Sequence, residues 1–136
     1  MNLINIALSQ YGIAEHSDSQ NPEILKYFQS IGYDWVKEDE TAWCSAFVNW
    51  VAKVCGHKYS GKLNARSWLD VGTPVEFPIL GDVVILWRES PNSWKGHVGF
   101  YINETGNNYW ILGGNQMNSV RISQYPKNRI LGFRRI

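Results

Sequence analysis

Apolar positions recur at helical spacing through the first half of the chain and at a two-residue period through the second, so the pattern divides it into two parts. Leu3, Ile4, Ala7, Leu8 and Tyr11 share one helical face between about Asn2 and Gln10, and Gly12 is placed to stop the run. Asn21-Pro22-Glu23 then supplies a capping amide, a proline at the first helical position and an acid in the first turn. Ile24, Leu25, Phe28 and Ile31 follow, and Gly32 ends this second predicted helix. A third periodic stretch sets Phe47, Val48, Val51, Ala52 and Cys55 on one side, behind Asp39-Glu40-Thr41 and ahead of Gly56. With Thr41 as its cap, Cys44 falls in the first helical turn. A shorter helix is predicted from Asn64 to Val71, closed by Gly72.

Pro74 and Pro78 mark an irregular crossover, after which the period changes. Val83 to Arg88, His97 to Ile102, Tyr109 to Gly113, Val120 to Gln124 and Arg129 to Arg135 are short β-rich runs separated by Pro, Gly and Asn clusters. Helices first and strands afterwards predict an α+β fold, with N-terminal helices packed on a C-terminal antiparallel sheet of about five strands. The length of 136 residues fits one domain, 1–136, and no repeat or linker interrupts it.

No apolar run approaches the length of a membrane span, and no charged-then-apolar leader opens the chain. The expectation is synthesis in the cytoplasm without a signal peptide. The net charge is +1 and basic residues are scattered except for Arg134-Arg135, which argues against nucleic acid as a partner. A neutral or polar partner fits better. Seven Trp and seven Tyr are mostly explained as core. Trp43, Trp68, Trp87 and Trp94 are nevertheless candidate groove walls, although Trp50 and Trp68 on helices read more simply as core. Trp94 is preferred, because the loop Ser90-Pro91-Asn92-Ser93-Trp94-Lys95 is long for a hairpin connection.

Cys44 and Cys55 lie about 16 Å apart if one helix carries both, too far for a disulfide. Cys55 reads as a small buried hydrophobe, whereas Cys44 sits where unpaired amides and the helix dipole favour a thiolate. His97 opens a strand whose Val98, Phe100 and Ile102 alternate with His97, Gly99 and Tyr101, and Gly99 leaves room beside the imidazole. A cysteine nucleophile with His97 as general base is the chemistry these two residues suggest. His16 and His57 sit in polar surroundings and read as exposed. The histidines form no close-spaced ligand pair with a cysteine, so no metal or other cofactor is expected. A third group should orient the imidazole, and the returning strand brings either Asn115 or Gln116 beside it. The shorter, stiffer Asn115 is preferred over Gln116 as third catalytic member. The backbone amide of Cys44 is a natural oxyanion donor, and Ser45 is a candidate assistant or a solvent-facing first-turn residue. Asp82 after Gly81 reads as a turn or strand cap without a catalytic role.

The order of a helix-borne Cys, a strand-borne Gly-His and a polar residue on the next strand resembles the papain-like peptidoglycan hydrolases, the NlpC-like cysteine peptidases and related CHAP amidases. Glu40-Thr41-Ala42-Trp43-Cys44, Phe47-Val48-Asn49-Trp50, Ala65-Arg66-Ser67-Trp68-Leu69, Gly81-Asp82-Val83-Val84, Gly96-His97-Val98-Gly99-Phe100-Tyr101 and Gly113-Gly114-Asn115-Gln116 resemble small stand-alone members from phages and bacteria. The resemblance implies cleavage of an amide in peptidoglycan stem peptides, by an endopeptidase or an N-acetylmuramoyl-L-alanine amidase. Cys44, His97 and Asn115 or Gln116 would be catalytic, and Trp43, Ser45, Trp94 and Gln116 would contact substrate. Many NlpC-like enzymes have Asp-Cys and a histidine third member, where this chain has Trp43-Cys44 and an amide. Such an enzyme would act on the bacterial cell wall or periplasm after phage-type release or injection, and an inhibitor or immunity protein is a second partner left open. The competing functions are a thiol-dependent acyltransferase or deamidase acting on protein, and a catalytically silent wall-binding module.

Overall fold

The computed structural model describes residues 2–15, 21–34 and 43–136. Helix α1 covers Leu3–Leu8 and starts where the Asn2 side chain accepts from the Ile4 amide at 2.8 Å. Helix α2, Pro22–Gln29, has Asn21 as its cap, accepting from the Glu23 amide at 2.9 Å, with Pro22 in the first turn as the sequence predicts. Helix α3 spans Trp43–Val54 and ends at Gly56, whose positive φ lets His57 N–H reach back to the Ala52 carbonyl at 2.9 Å. The Thr41 cap expected for α3, and His16, lie outside the described residues. The predicted fourth helix is a 3₁₀ helix, Ala65–Asp70.

Six strands follow where about five were expected. Strand β1, Thr73–Val75, is the addition, and it occupies the stretch read from Pro74 as irregular crossover. Pro74 is tolerated because β1 is an edge strand, paired only with the last strand. Strands β2 (Val83–Trp87), β3 (Gly96–Thr105), β4 (Asn108–Gln116), β5 (Ser119–Pro126) and β6 (Ile130–Arg135) complete an antiparallel sheet of order β1-β6-β2-β3-β4-β5. The segment after α1 runs along β5, where the Gly12 amide donates to the Val120 carbonyl and the Val120 amide donates to the Ile13 carbonyl, each at 2.8 Å. That segment covers an edge which would otherwise present unpaired amides.

The main core lies between the helices and one sheet face. It joins Ile24, Tyr27 and Phe28 of α2 with Phe47, Val48 and Val51 of α3, and with Val98, Phe100 and Leu112 of the sheet. The opposite face carries its own smaller cluster, in which Tyr101, Tyr109 and Phe133 meet edge to face with Val84, Leu86 and Ile111. Packing on both faces explains why β2 is continuously buried instead of alternating. Asp82 is tied into the framework, as its position before β2 suggests. One oxygen accepts from the Ile79 amide at 2.8 Å, and the carboxylate takes a bidentate pair from Arg135 at 2.9 Å.

The contact that seats α3 is made by a residue without a side chain. A Cβ on Gly114 would stand 2.8 Å from the Phe47 Cβ and 2.9 Å from the Trp43 ring. Gly114→Ala should therefore cost about 1–3 kcal/mol of stability by overpacking, measured as a shifted urea midpoint at unchanged m-value. An unchanged midpoint would mean that α3 is not held against β4 at this point.

Candidate active site

Cys44 lies in the first turn of α3, completely buried. Its thiol receives a backbone hydrogen bond from Val98, the residue after His97, so the helix terminus meets β3 at its start. His97, only 5% exposed, projects from β3 beneath the ring of Tyr125 on β5, with centroids 4.9 Å apart and planes inclined by 26°. Its Nε2 lies 2.9 Å from Oε1 of Gln116. The chain order of helix cysteine, strand histidine and polar residue on the next strand thus converges in space.

The amide bonded to His97 is that of Gln116, the alternative to the preferred Asn115. Strand β4 departs from regular pairing with β5 between Gly113 and Gln116, and Asn115 takes a left-handed φ of 56° there. This irregularity turns Gln116 inward, where it is 2% exposed. Gly113 makes room, since a Cβ on it would lie 2.8 Å from Gln116 Oε1 and 3.4 Å from His97 Nε2.

The hydrogen bonds of Gln116 fix the histidine tautomer. Its Nε2 donates to the carbonyls of Ile111 at 3.0 Å and Arg121 at 2.6 Å. Carbonyls only accept, so the amide nitrogen faces them and Oε1 faces His97. The imidazole must then donate from Nε2, which leaves Nδ1 as its basic nitrogen in the neutral form.

Electrostatics differ from the sequence expectation of a helix-activated thiolate. Burial pushes the Cys44 thiol up to about 11, against the lowering pull of the Val98 amide, the Arg88 charge and the amides of Ser45 and Cys44. Burial also lowers His97 to about 4, opposed by the Gln116 bond and reinforced by Arg88. At neutral pH the resting pair is a neutral thiol and a neutral imidazole. Tyr125 stays a neutral phenol, raised chiefly by burial.

A cavity of about 210 Å³ opens over His97, lined among others by Trp87, Arg88, Asn115, Gln116, Tyr125 and Arg129. Asn115 thus borders the site without holding the imidazole. Trp87 donates to the Asn128 carbonyl at 3.2 Å and carries the Arg129 guanidinium 5.4 Å from its ring centre. Trp94 is 70% exposed but lies outside this lining. Its loop is anchored by Arg66, which donates to the carbonyls of Ser90, Pro91 and Lys95 at 2.8–3.1 Å.

Two expected substrate contacts are structural. Trp43 is 1% exposed and donates its indole N–H to Glu15 at 2.6 Å. Ser45 is buried, donates to the Lys62 carbonyl at 2.7 Å and accepts from Trp68 at 3.1 Å, so it is neither solvent-facing nor free to assist an oxyanion. Trp68 is core, and His57 is half-buried where exposure was expected. Both cysteines are free thiols. Among the described residues no three His, Cys, Asp or Glu side chains gather as a metal would require, and no helix is long and apolar enough to cross a membrane. Tyr125 and Arg88 were not found from sequence. The β5 pattern marks Tyr125 only as one strand residue among others, and its contact with His97 arises from tertiary packing that strand periodicity does not encode.

No family model and no curated protein matches the chain. Among solved structures it is similar to a protein from Staphylococcus aureus subsp. aureus Mu50, described as similar to lipoprotein, NLP/P60 family, with a TM-score of 0.55 and 17% identity. The likeness covers 98% of this chain and 40% of that one. At this identity it establishes the fold, a papain-like α+β arrangement.

The burial of His97 has a consequence for stability. Between pH 6.5 and about 4 the unfolded imidazole binds a proton that the folded one refuses, so acidification through this window should destabilise the protein. The loss should approach about 3 kcal/mol, and a His97→Gln variant should lack it, as followed by urea unfolding at several pH values. Equal acid sensitivity in both proteins would show that His97 is not buried uncharged.

Proposed function

We propose that this chain is a cysteine hydrolase that cleaves an amide bond in bacterial peptidoglycan stem peptides. The observation that carries the reading is the His97–Gln116 hydrogen bond, which leaves Nδ1 basic on the strand start that Val98 links to the Cys44 thiol. The papain-like fold supports it, as does the NLP/P60 family to which the staphylococcal structure is ascribed. In the proposed reaction His97 takes the thiol proton as sulfur attacks the carbonyl, because neither group is charged beforehand. The same imidazole then protonates the leaving amine, and water releases the acyl group from the thioester. The backbone N–H of Cys44 is the proposed oxyanion donor. Gln116 holds the tautomer and Tyr125 the ring plane.

The complete burial of Cys44 favours one second reading, a silent wall-binding module. Digestion of purified sacculi, with products read by mass spectrometry, separates the two. Cys44→Ala should abolish product formation while leaving the fold intact, and Cys55→Ala should retain most activity. Near-normal turnover in Cys44→Ala would end the thiol mechanism, and sacculi bound but unaltered by the native chain would establish the silent module.

The third member is tested by paired variants. Gln116→Ala should lower kcat by about 10²–10⁴-fold, because it releases the imidazole and leaves two carbonyls unpaired, whereas Asn115→Ala should act mainly on KM. The reverse pattern, on a soluble stem-peptide fragment, would mean that the Gln116 contact does not orient the base.

A further inference from the structure

The cavity over His97 has a charge character that amide hydrolysis alone does not require. Two arginines, Arg88 and Arg129, line it, and none of its described lining residues is acidic. Arg129 is exposed, and its guanidinium rests on Trp87, 5.4 Å from the ring centre. None of the described ion pairs involves it. A guanidinium held by its charge over an indole ring keeps its fork of N–H donors, which matches the two oxygens of a carboxylate. Arg88 is half-buried, and its positive charge acts on Cys44, His97 and Tyr125 alike. Neutral Tyr125 brings a phenol to the same wall.

We infer that this cavity is a carboxylate subsite, in which Arg129 and Arg88 select substrates carrying a free carboxylate next to the scissile amide. The inference rests on the proposed reading of the site as an amide hydrolase and names the class of peptide it accepts. Stem peptides occur with the glutamyl carboxyl either free or as carboxamide. The two forms have the same shape and differ by one charge. The site separates them, because the neutral amide cannot take the charge-assisted bidentate bond from the Arg129 guanidinium.

The test uses a glutamyl-containing stem-peptide fragment and the same fragment with that carboxylate converted to the carboxamide. Affinity is measured by calorimetry on the full-length Cys44→Ala protein, so binding is read independently of turnover, and kcat/KM is measured on the native chain. The carboxylate form should bind at least about tenfold more tightly at low salt, with the margin narrowing as ionic strength rises. Arg129→Gln should reduce the preference to near unity, and Arg129→Lys should restore part of it, since a point charge remains without the planar fork. Because Arg129 is exposed, an unchanged thermal midpoint is expected in both variants. Equal affinity for the two fragments, no binding of either, or a preference that survives Arg129→Gln would each overturn the subsite. Hydrolysis of both fragments at equal kcat/KM would overturn the subsite and leave the hydrolase reading standing. Selective binding of the carboxylate form without hydrolysis by the native chain would do the opposite.

Discussion

The side-chain amide of Gln116 is the interaction on which the site depends. Its nitrogen is committed to two carbonyls, so its oxygen has one orientation and the imidazole one tautomer. A free asparagine or glutamine flips between nearly equivalent arrangements; here both ends are bound, and flipping would set N–H against N–H and oxygen against oxygen. The price is local backbone strain, with left-handed conformations at Asn115, Met117 and Asn118 around the β4–β5 turn. A regular hairpin would alternate its side chains and could not put Gln116 against both the Ile111 and Arg121 carbonyls. The irregular pairing is thus the means by which a strand end comes to hold the His97 imidazole.

Burial outweighs the helix terminus at Cys44. The amides of the first turn and of Val98 lower the thiol, but removing a completely enclosed sulfur from water raises it further. Arg88 does not rescue a resting ion pair either. Its charge favours thiolate and disfavours imidazolium, so across a thiolate–imidazolium pair the two effects oppose each other. What a fixed cation favours is a state with net negative charge: an anionic group bound in the cavity, or the anionic intermediate formed when sulfur adds to a carbonyl. Under the proposed function, the same residue therefore suits substrate capture and the reaction coordinate better than it suits the unliganded site.

Much of the fold was legible because the signals were local. The Asn21-Pro22-Glu23 start, the Gly56 stop and the β-rich runs from Val83 onward each depend on residues within one turn or one strand. Strand β1 was missed because its evidence is the partner strand at the other end of the chain. In the site, Cys44 and His97 were readable from element type and position. The choice between Asn115 and Gln116 turned on a single residue of register, and the irregularity that decides it has no signature beyond Gly113-Gly114, which also reads as a plain turn. Ser45 and Trp43 were misread for a related reason. Their partners, Lys62, Trp68 and Glu15, lie between 17 and 28 positions away.

Those misread residues explain how Cys44, the proposed nucleophile, keeps its place. Trp43 on one side of Cys44 is held by Glu15 and packed on Gly114, and Ser45 on the other is held by Lys62 and Trp68. Asn49, one turn further along, donates to the Ser45 and Lys62 carbonyls and accepts from the Gly61 amide. The first turn of α3 is thereby fastened to the N-terminal segment, the sheet and the loop around Lys62. A side chain with a single χ angle, on a backbone fixed from three directions, keeps its sulfur in one place, and the Val98 amide adds one bond to the thiol itself. With the sulfur held and the imidazole pinned by Gln116, the proposed hydrolysis leaves the substrate as its adjustable partner, and the cavity walls of Trp87, Arg88 and Arg129 are where that proposal would align it.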